Sequence, residues 1–353
     1  MKLGLIGLPK SGKTTLFNAL TNSNVSVGAY TKAEPNIAVA KVGDERVDRL
    51  SSMYKPKKTI HATIEFLDVA GVNAEGARDE SSWGELLKII RNADALAIVL
   101  RNFENEILGP LDPAGELRRI DDELLLSDLI TVERRLEKIE ASIKKGQKTP
   151  ALLAEEKVLR RIHGHLNESK PIRELTFNTE EDNAIRGFQF LTAKPAIAIV
   201  NSSESGYGKN AELLKRLETV HRAIEFAGSF EMELSRLGAD EALMFMEDMG
   251  IKESARDRLT KLAYETLGYI CFFTVGEDEV RAWTIRRGAT AVEAAGTIHS
   301  DLARGFIAAE CFTYSDLIES GSEKAIKEKG KLRIEGKEYV VRDGDILNIR
   351  FNV

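Results

Sequence analysis

Cysteine is nearly absent: 353 residues contain only Cys271 and Cys311. Neither belongs to a CxxC spacing and both lie among apolar neighbours, so they read as buried reduced thiols rather than as a disulfide framework or a metal centre. Proline is scarce at 8 residues, and an apolar content of 43% is more than a disordered chain carries, which excludes the collagen-like, proline-rich and disordered classes. Long apolar runs are missing. The longest, residues 95–100 and 195–200, are far short of the ~20 residues a bilayer-spanning helix needs. The N-terminal apolar run is broken by Pro9, Gly12 and Lys13 and has no secretory character, so a cytoplasmic location and no membrane partner are expected. An excess of positive charge is also absent. Lys plus Arg total 50 against 56 Asp plus Glu, a net charge of -6, which argues against a protein that coats nucleic acid along its length, and no DNA partner is expected. The length itself exceeds what one core organises and implies two or three domains.

What is present begins at the N-terminus. Residues 2–6 are apolar and β-prone and run into Gly7-Leu8-Pro9-Lys10-Ser11-Gly12-Lys13-Thr14-Thr15, after which Leu16, Phe17, Ala19 and Leu20 recur at helical spacing. This is strand, glycine loop, helix, with a complete GxxxxGK[ST] match. Gly7 and Gly12 let the backbone turn so that the N–H groups of the loop face a phosphate. Lys13 brings charge to the β and γ oxygens, and the Thr14 hydroxyl suits Mg²⁺. The expected ligand is ATP or GTP with Mg²⁺, held by Leu8, Pro9, Lys10, Ser11, Gly12, Lys13, Thr14 and Thr15.

A second strand, residues 63–69, ends in Asp68-Val69-Ala70-Gly71. That places a carboxylate for Mg²⁺ at a strand end and a glycine N–H, at Gly71, where it can approach the γ-phosphate. Lys13 and Gly71 are therefore the candidate catalytic groups, and Thr14, Asp68 and Thr31 the candidate metal ligands. Thr31 lies in the segment where a switch loop would supply a hydroxyl, with ordinary loop as the alternative. Ras-like enzymes orient the attacking water with a glutamine just after DxxG. Val72 stands there and can neither donate nor accept, so intrinsic turnover should be slow. After the apolar strand 195–200 comes Asn201-Ser202-Ser203-Glu204 where guanine-specific enzymes carry NKxD. Serine replaces the lysine that packs over the base, and Glu204 reaches one methylene further than aspartate, so discrimination against adenine should weaken.

Together with Glu34-Pro35-Asn36, Val280-Arg281-Ala282-Trp283-Thr284-Ile285-Arg286-Arg287-Gly288 and the ending Glu335 to Ile346, these motifs resemble, over essentially the whole chain, the YchF/Ola1 family of Obg-related P-loop NTPases. The resemblance implies an α/β fold: a P-loop NTPase domain of the Ras-like type with an inserted helical hairpin and a C-terminal β-grasp (TGS) domain. It further implies a cytoplasmic NTPase that prefers ATP to GTP and associates with the ribosome or ribosomal RNA. Ala227-Gly228-Ser229 occupies the family's fifth nucleotide motif, without its leading serine. The usual GLPNVGK loop has Lys10 and Ser11 in place of Asn and Val. The Lys10 ammonium can take the place of the monovalent cation that the asparagine helps to hold, or it can simply point to solvent. A histidine common in the loop after the third strand is missing, and the switch threonine aligns nearer Lys32 than Thr31. Two alternatives stay open, a conventional GTPase and a nucleotide-gated RNA- or ribosome-binding module with incidental hydrolysis.

The remaining periodicity completes the division. Leu124, Leu125, Leu129, Val132, Leu136 and Ile139, with the pattern resuming over 151–166, read as a helical hairpin. Residues 134–170 hold ten Lys/Arg against five Asp/Glu, a local +5 suited to an RNA backbone, with an ordinary solvated helix surface as the alternative. Short strands at 270–275, 306–311, 331–334, 338–341 and 346–351 suit a β-grasp domain, where Arg281, Trp283, Arg286 and Arg287 could form a stacking and phosphate-binding surface, with a core position for Trp283 as the more common alternative. The expected domains are 1–120 with 187–268, the hairpin 121–186, and 269–353.

Overall fold

The structure, a computed structural model, describes residues 1–21, 36–68, 80–105, 109–248, 251 and 253–352. Its strands, in chain order, are β1 (Lys2–Ile6), β2 (Asn36–Lys41), β3 (Lys58–Ile60), β4 (Thr63–Asp68), β5 (Ala95–Asn102), β6 (Ala196–Ser202), β7 (Arg222–Phe226), β8 (Tyr269–Thr274), β9 (Glu279–Arg286), β10 (Phe306–Thr313), β11 (Arg333–Glu335) and β12 (Asp345–Phe351). The chain forms two compact units, Met1–Val39 with Glu65–Arg256, and Ala40–Ile64 with Asp257–Val353.

The first unit is built on a sheet of order β2-β4-β1-β5-β6-β7, in which β4, β1, β5, β6 and β7 pair in parallel. Burial on both faces explains why β5 and β6 are unbroken apolar runs rather than alternating ones. On one face Ile98, Leu100 and Val200 pack against Leu86, Leu87 and Ile90 of the helix Glu80–Ile90 and against Leu117, Ile120 and Leu124. A parallel sheet gathers the carboxyl ends of its strands on one edge, where ligands of open α/β sheets bind. The glycine loop, Asp68, Asn201 and Ala227 all lie at such ends.

The hairpin differs from its expected boundary. Its first helix is Pro113–Lys144, capped by Asp112, whose side chain accepts from Gly115 N, with Pro113 in the first turn. It starts within the core of the sheet unit and runs on for 32 residues, so residue 121 lies inside a continuous helix rather than at a junction. The returning helix Pro150–Asn167 packs Val158, Leu159 and Ile162 on Val132, Leu136 and Ile139. At its base Asp128, fully buried, accepts from Leu191 N, Thr192 N and Thr192 Oγ1 at 2.8–3.0 Å and from Arg91 Nη1 at 3.2 Å. Burial pushes the Asp128 carboxyl up, and these donors and the guanidinium oppose the shift.

The second unit contains a sheet of order β11-β10-β12-β8-β9-β3, with β8–β9 and β10–β12 antiparallel and β12–β8 parallel. The helix Ala291–Ile298 covers one face through Ala291, Ala294 and Ala295. Residues 280–286 form part of a strand, and 338–341 do not: Val340 makes only a single bridge to Thr290. Residues 40–64 belong here rather than with a continuous 1–120 segment. The reason is specific pairing: β3 lies parallel to β9, Arg46 donates to Asp343 at 2.7 Å and stacks on Phe273, and Tyr54 donates to Glu323.

Candidate functional site

The glycine loop closes on itself through Ser11 N donating to Leu8 O, and the helix Lys13–Thr21 starts directly after Gly12. Lys13 Nζ donates to Gly7 O and Leu8 O at 2.9 Å each, which holds the ammonium against the loop. Burial pushes its pKa down to about 8, although the negative charges of Asp68 and Glu116 oppose this. Thr14 Oγ1 donates to Asp68 Oδ2 at 3.4 Å. A hydroxyl and a fully buried carboxylate side by side, next to Lys13, are a hard oxygen donor set of the kind Mg²⁺ takes together with phosphate oxygens. Lys10 is exposed and has φ 62°, in the left-handed region. Ser11 is buried, and its Oγ has no hydrogen-bond partner among the described residues. Pro9 is exposed and Leu8 half-buried.

Asn201 ties the site together. From the end of β6 its Nδ2 donates to Ser11 O at 3.0 Å, and its Oδ1 accepts from Gly228 N at 3.1 Å. One amide therefore joins the phosphate loop to the segment Ala227-Gly228-Ser229. The approach is so close that a Cβ on Gly12, which has φ 96°, would overlap Asn201 Nδ2. A cavity of about 820 Å³ opens beside this junction, lined by Gly12, Thr15, Asn201, Glu204, Gly228 and Ser229 among others. The structure thus brings the phosphate loop and the candidate base-binding residues to one cleft. Thr31 and Gly71, with Lys32 and Val72, lie outside the described residues.

Phe103, Met232 and Arg236 also line the cavity and carried no sequence signal. Phe103 is placed by Arg101, whose buried guanidinium donates to Phe103 O, Gly109 O and Pro110 O and whose N–H donates to Glu116 Oε2. An arginine at the end of an apolar strand, followed by a loop with Gly and Pro, is the only trace of this in the sequence. Ser202 does not face the cavity alone. Its Oγ donates to the buried Glu225 at 2.6 Å, a polar group behind the base loop that periodicity cannot reveal.

On two surfaces the structure bears directly: Trp283 follows the core alternative, and the hairpin's charge is partly paired. Trp283 is not free for stacking: one face carries the Arg281 guanidinium at 3.9 Å, Phe272 stacks against it at 6.4 Å, and its Nε1 donates to Thr274. The basic hairpin is also less uniform than its composition. Arg135 pairs with Glu155, Arg160 with Glu140 and Glu156, Arg161 with Glu181, and Lys170 with Glu168. Lys144, Lys145 and Lys148, around the turn at Gly146, are exposed and have no ion pair among the described residues. Among the described residues no helix is long and apolar enough to cross a membrane.

A parallel sheet with a GxxxxGKT loop after its first strand, a buried aspartate at the end of a neighbouring strand and an asparagine locking the loop defines a P-loop NTPase domain of the Ras-like type. Known proteins agree. Residues 2–155 match a family model described as "50S ribosome-binding GTPase", and residues 269–352 match the YchF-GTPase C-terminal model, described as "Protein of unknown function (DUF933)". "Ribosome-binding ATPase YchF" of Bacillus subtilis is 37% identical over 363 residues, covering 99% of both chains. "Obg-like ATPase 1" of Oryza sativa subsp. japonica is 36% identical, covering all of this chain and 92% of that one. The solved Schizosaccharomyces pombe YchF GTPase superposes with a TM-score of 0.86 at 32% identity, covering 99% of this chain and 97% of that one. The chain belongs to the YchF family.

Proposed function

We propose that this protein is a Mg²⁺-dependent nucleoside triphosphatase that prefers ATP to GTP and acts in the cytoplasm as a ribosome-associated nucleotide switch. The observation that carries the base preference is the course of the Asn201–Glu204 segment. Asn201 holds the phosphate loop, Ser202 turns to Glu225 instead of laying a lysine over the base, and Glu204 stands exposed at the cavity wall. A carboxylate displaced by one methylene no longer matches the paired N1–H and N2–H₂ donors of guanine, so the site loses the hydrogen bonds that reject adenine. The names of the relatives, a ribosome-binding ATPase and an Obg-like ATPase, support the same reading.

In hydrolysis Lys13 and the N–H groups of residues 10–14 stabilise the charge that develops on the β–γ bridge and γ oxygens. Thr14 and Asp68 would hold Mg²⁺, which supplies further neutralisation of phosphate charge when bound; Thr31 and Gly71 are assigned the second hydroxyl and the γ-phosphate contact. Pro9 and Leu8 shape the loop, Lys10 stands in for a monovalent cation, and turnover therefore proceeds without potassium; a strong K⁺ requirement would overturn that role. The contact with the ribosome is assigned to the hairpin 121–186 and the C-terminal domain 269–353. Competition between ATP and GTP for one fluorescent nucleotide, with Mg²⁺, tests the central claim. Tighter ATP binding is expected, and a clear GTP preference would make the protein a conventional GTPase instead.

A further inference from the structure

Behind the cleft lies a buried carboxylate that is not among the residues lining the cavity. Glu225, the penultimate residue of β7, is 6% exposed. Its Oε1 accepts from Ser202 Oγ and from Asn210 Nδ2, both at 2.6 Å, and its Oε2 accepts from Gly208 N at 3.0 Å. Those three donors come from the beginning and the end of one loop, the segment 202–210, whose middle carries Glu204. Ser202 Oγ further accepts from Asn102 Nδ2 at 3.0 Å, which extends the network to the end of β5.

Asn210 shows what the arrangement costs. It occupies the N-cap of the helix Ala211–Leu217, where an asparagine side chain would normally accept from the first turn, yet it makes no capping bond. Its amide is directed to Glu225 and to Gly206 O instead. A helix cap is given up so that the loop closes on the carboxylate. Alternation along β6 separates the two tasks: Asn201 points to the phosphate loop, and Ser202, the next residue, points to Glu225.

We propose that Glu225 is the positioning residue for base selection: without touching the nucleotide, it fixes the 202–210 loop and thereby sets where Glu204 meets the base edge. The inference rests on the reading of this cavity as a nucleotide site, but not on which base wins. Selectivity depends on displacements of about an ångström in hydrogen-bonding groups, so a carboxylate that holds the loop at both ends controls the ratio of affinities. It leaves the phosphate half alone, because Asn201 anchors that half independently.

The test compares wild type, Glu225→Gln and Asn210→Ala in full-length protein, by calorimetric affinities for ADP, GDP and inorganic tripolyphosphate, and by kcat and KM for ATP and GTP. Glu225→Gln keeps one acceptor oxygen and sets amide hydrogens against either the Gly208 N–H or the Asn210 amide donor, and is expected to change the ADP-to-GDP affinity ratio about 5- to 10-fold. The change falls in KM rather than kcat, with tripolyphosphate affinity unchanged. Asn210→Ala shifts the ratio in the same direction by less, and carries the test if Glu225→Gln does not fold. An unchanged ratio in a folded variant, or equal losses for both nucleotides and tripolyphosphate, overturns the inference. A wild type that binds tripolyphosphate but neither nucleoside diphosphate refutes the nucleotide reading itself, a result distinct from the first.

Discussion

At the residue scale the sharpest consequence concerns Lys13. Its ammonium is buried, held by two carbonyl oxygens, and pushed down to about 8. Phosphate oxygens favour the charged form and raise the pKa on binding, so the free protein must take up a proton whenever the pH exceeds about 8. The sign follows: affinity for ADP measured in EDTA is insensitive to this group below pH 8 and falls by about tenfold per pH unit above it, until the bound-state pKa is reached. Calorimetry in buffers of different ionisation enthalpy should register no proton uptake through Lys13 at pH 7 and close to one proton at pH 9. Lys13→Met should abolish the uptake together with most of the affinity. Equal uptake at both pH values would contradict the assignment.

At the scale of elements, the base of the hairpin is one carboxylate. Asp128 ties the long helix Pro113–Lys144 to the returning chain at Leu191 and Thr192 and to Arg91, which follows the helix Glu80–Ile90. Asp128→Ala leaves two backbone N–H groups without their acceptor and removes the carboxylate beside a mostly buried guanidinium, which keeps its bonds to Ser127 and Thr131, and should destabilise the sheet unit by about 3 kcal/mol, read as a lower denaturant midpoint. A loss below about 1 kcal/mol would mean that water replaces the carboxylate. Nothing in the sequence marks Asp128, which sits in an ordinary stretch of charged and apolar helix. The parts of the fold that were legible share a local cause. The loop after β1, the aspartate ending β4 and the asparagine near the end of β6 each stand in a short motif at the end of an apolar strand, so motif and spacing reveal them even though Asp68 and Asn201 find their partners far along the chain. Residues 40–64 joining the C-terminal sheet and Glu225 under Ser202 depend on pairings across about 20 to 300 positions, and Phe103 held by Arg101 depends on a side-chain-to-backbone contact in an irregular loop, neither of which periodicity records. Arg281, by contrast, misled because it and Trp283 lie two apart on one strand face and satisfy each other.

At the scale of the whole molecule, a net charge of -6 coexists with a basic hairpin whose own carboxylates pair only part of its positive charge. The flanks of the hairpin neutralise themselves in part through Arg135–Glu155 and Arg160–Glu140, while Arg134, Lys138 and Lys157 on the flanks, like Lys144, Lys145 and Lys148 at the tip, are exposed with no ion pair among the described residues. The tip stands at the far end of a continuous helix whose first turns pack in the NTPase core, where Glu116 accepts from Arg101 N and bears electrostatically on Lys13. At 32 residues that helix is about 48 Å long, so it connects the phosphate site and the tip without a joint in its backbone hydrogen bonding. Neutralising the three lysines to alanine should weaken binding to ribosomes by about 10- to 100-fold at physiological salt and reduce the salt dependence by up to about three counterions. Nucleotide affinity should remain unchanged, because none of the three lines the cleft. Co-sedimentation over a series of salt concentrations, in the presence of ADP or a non-hydrolysable ATP analogue, measures both terms. Equal ribosome binding by the nucleotide-free, ADP and ATP-analogue forms would show that the helix transmits nothing and the protein is not a switch. A wild-type salt slope retained by the triple variant would move the contact away from the tip.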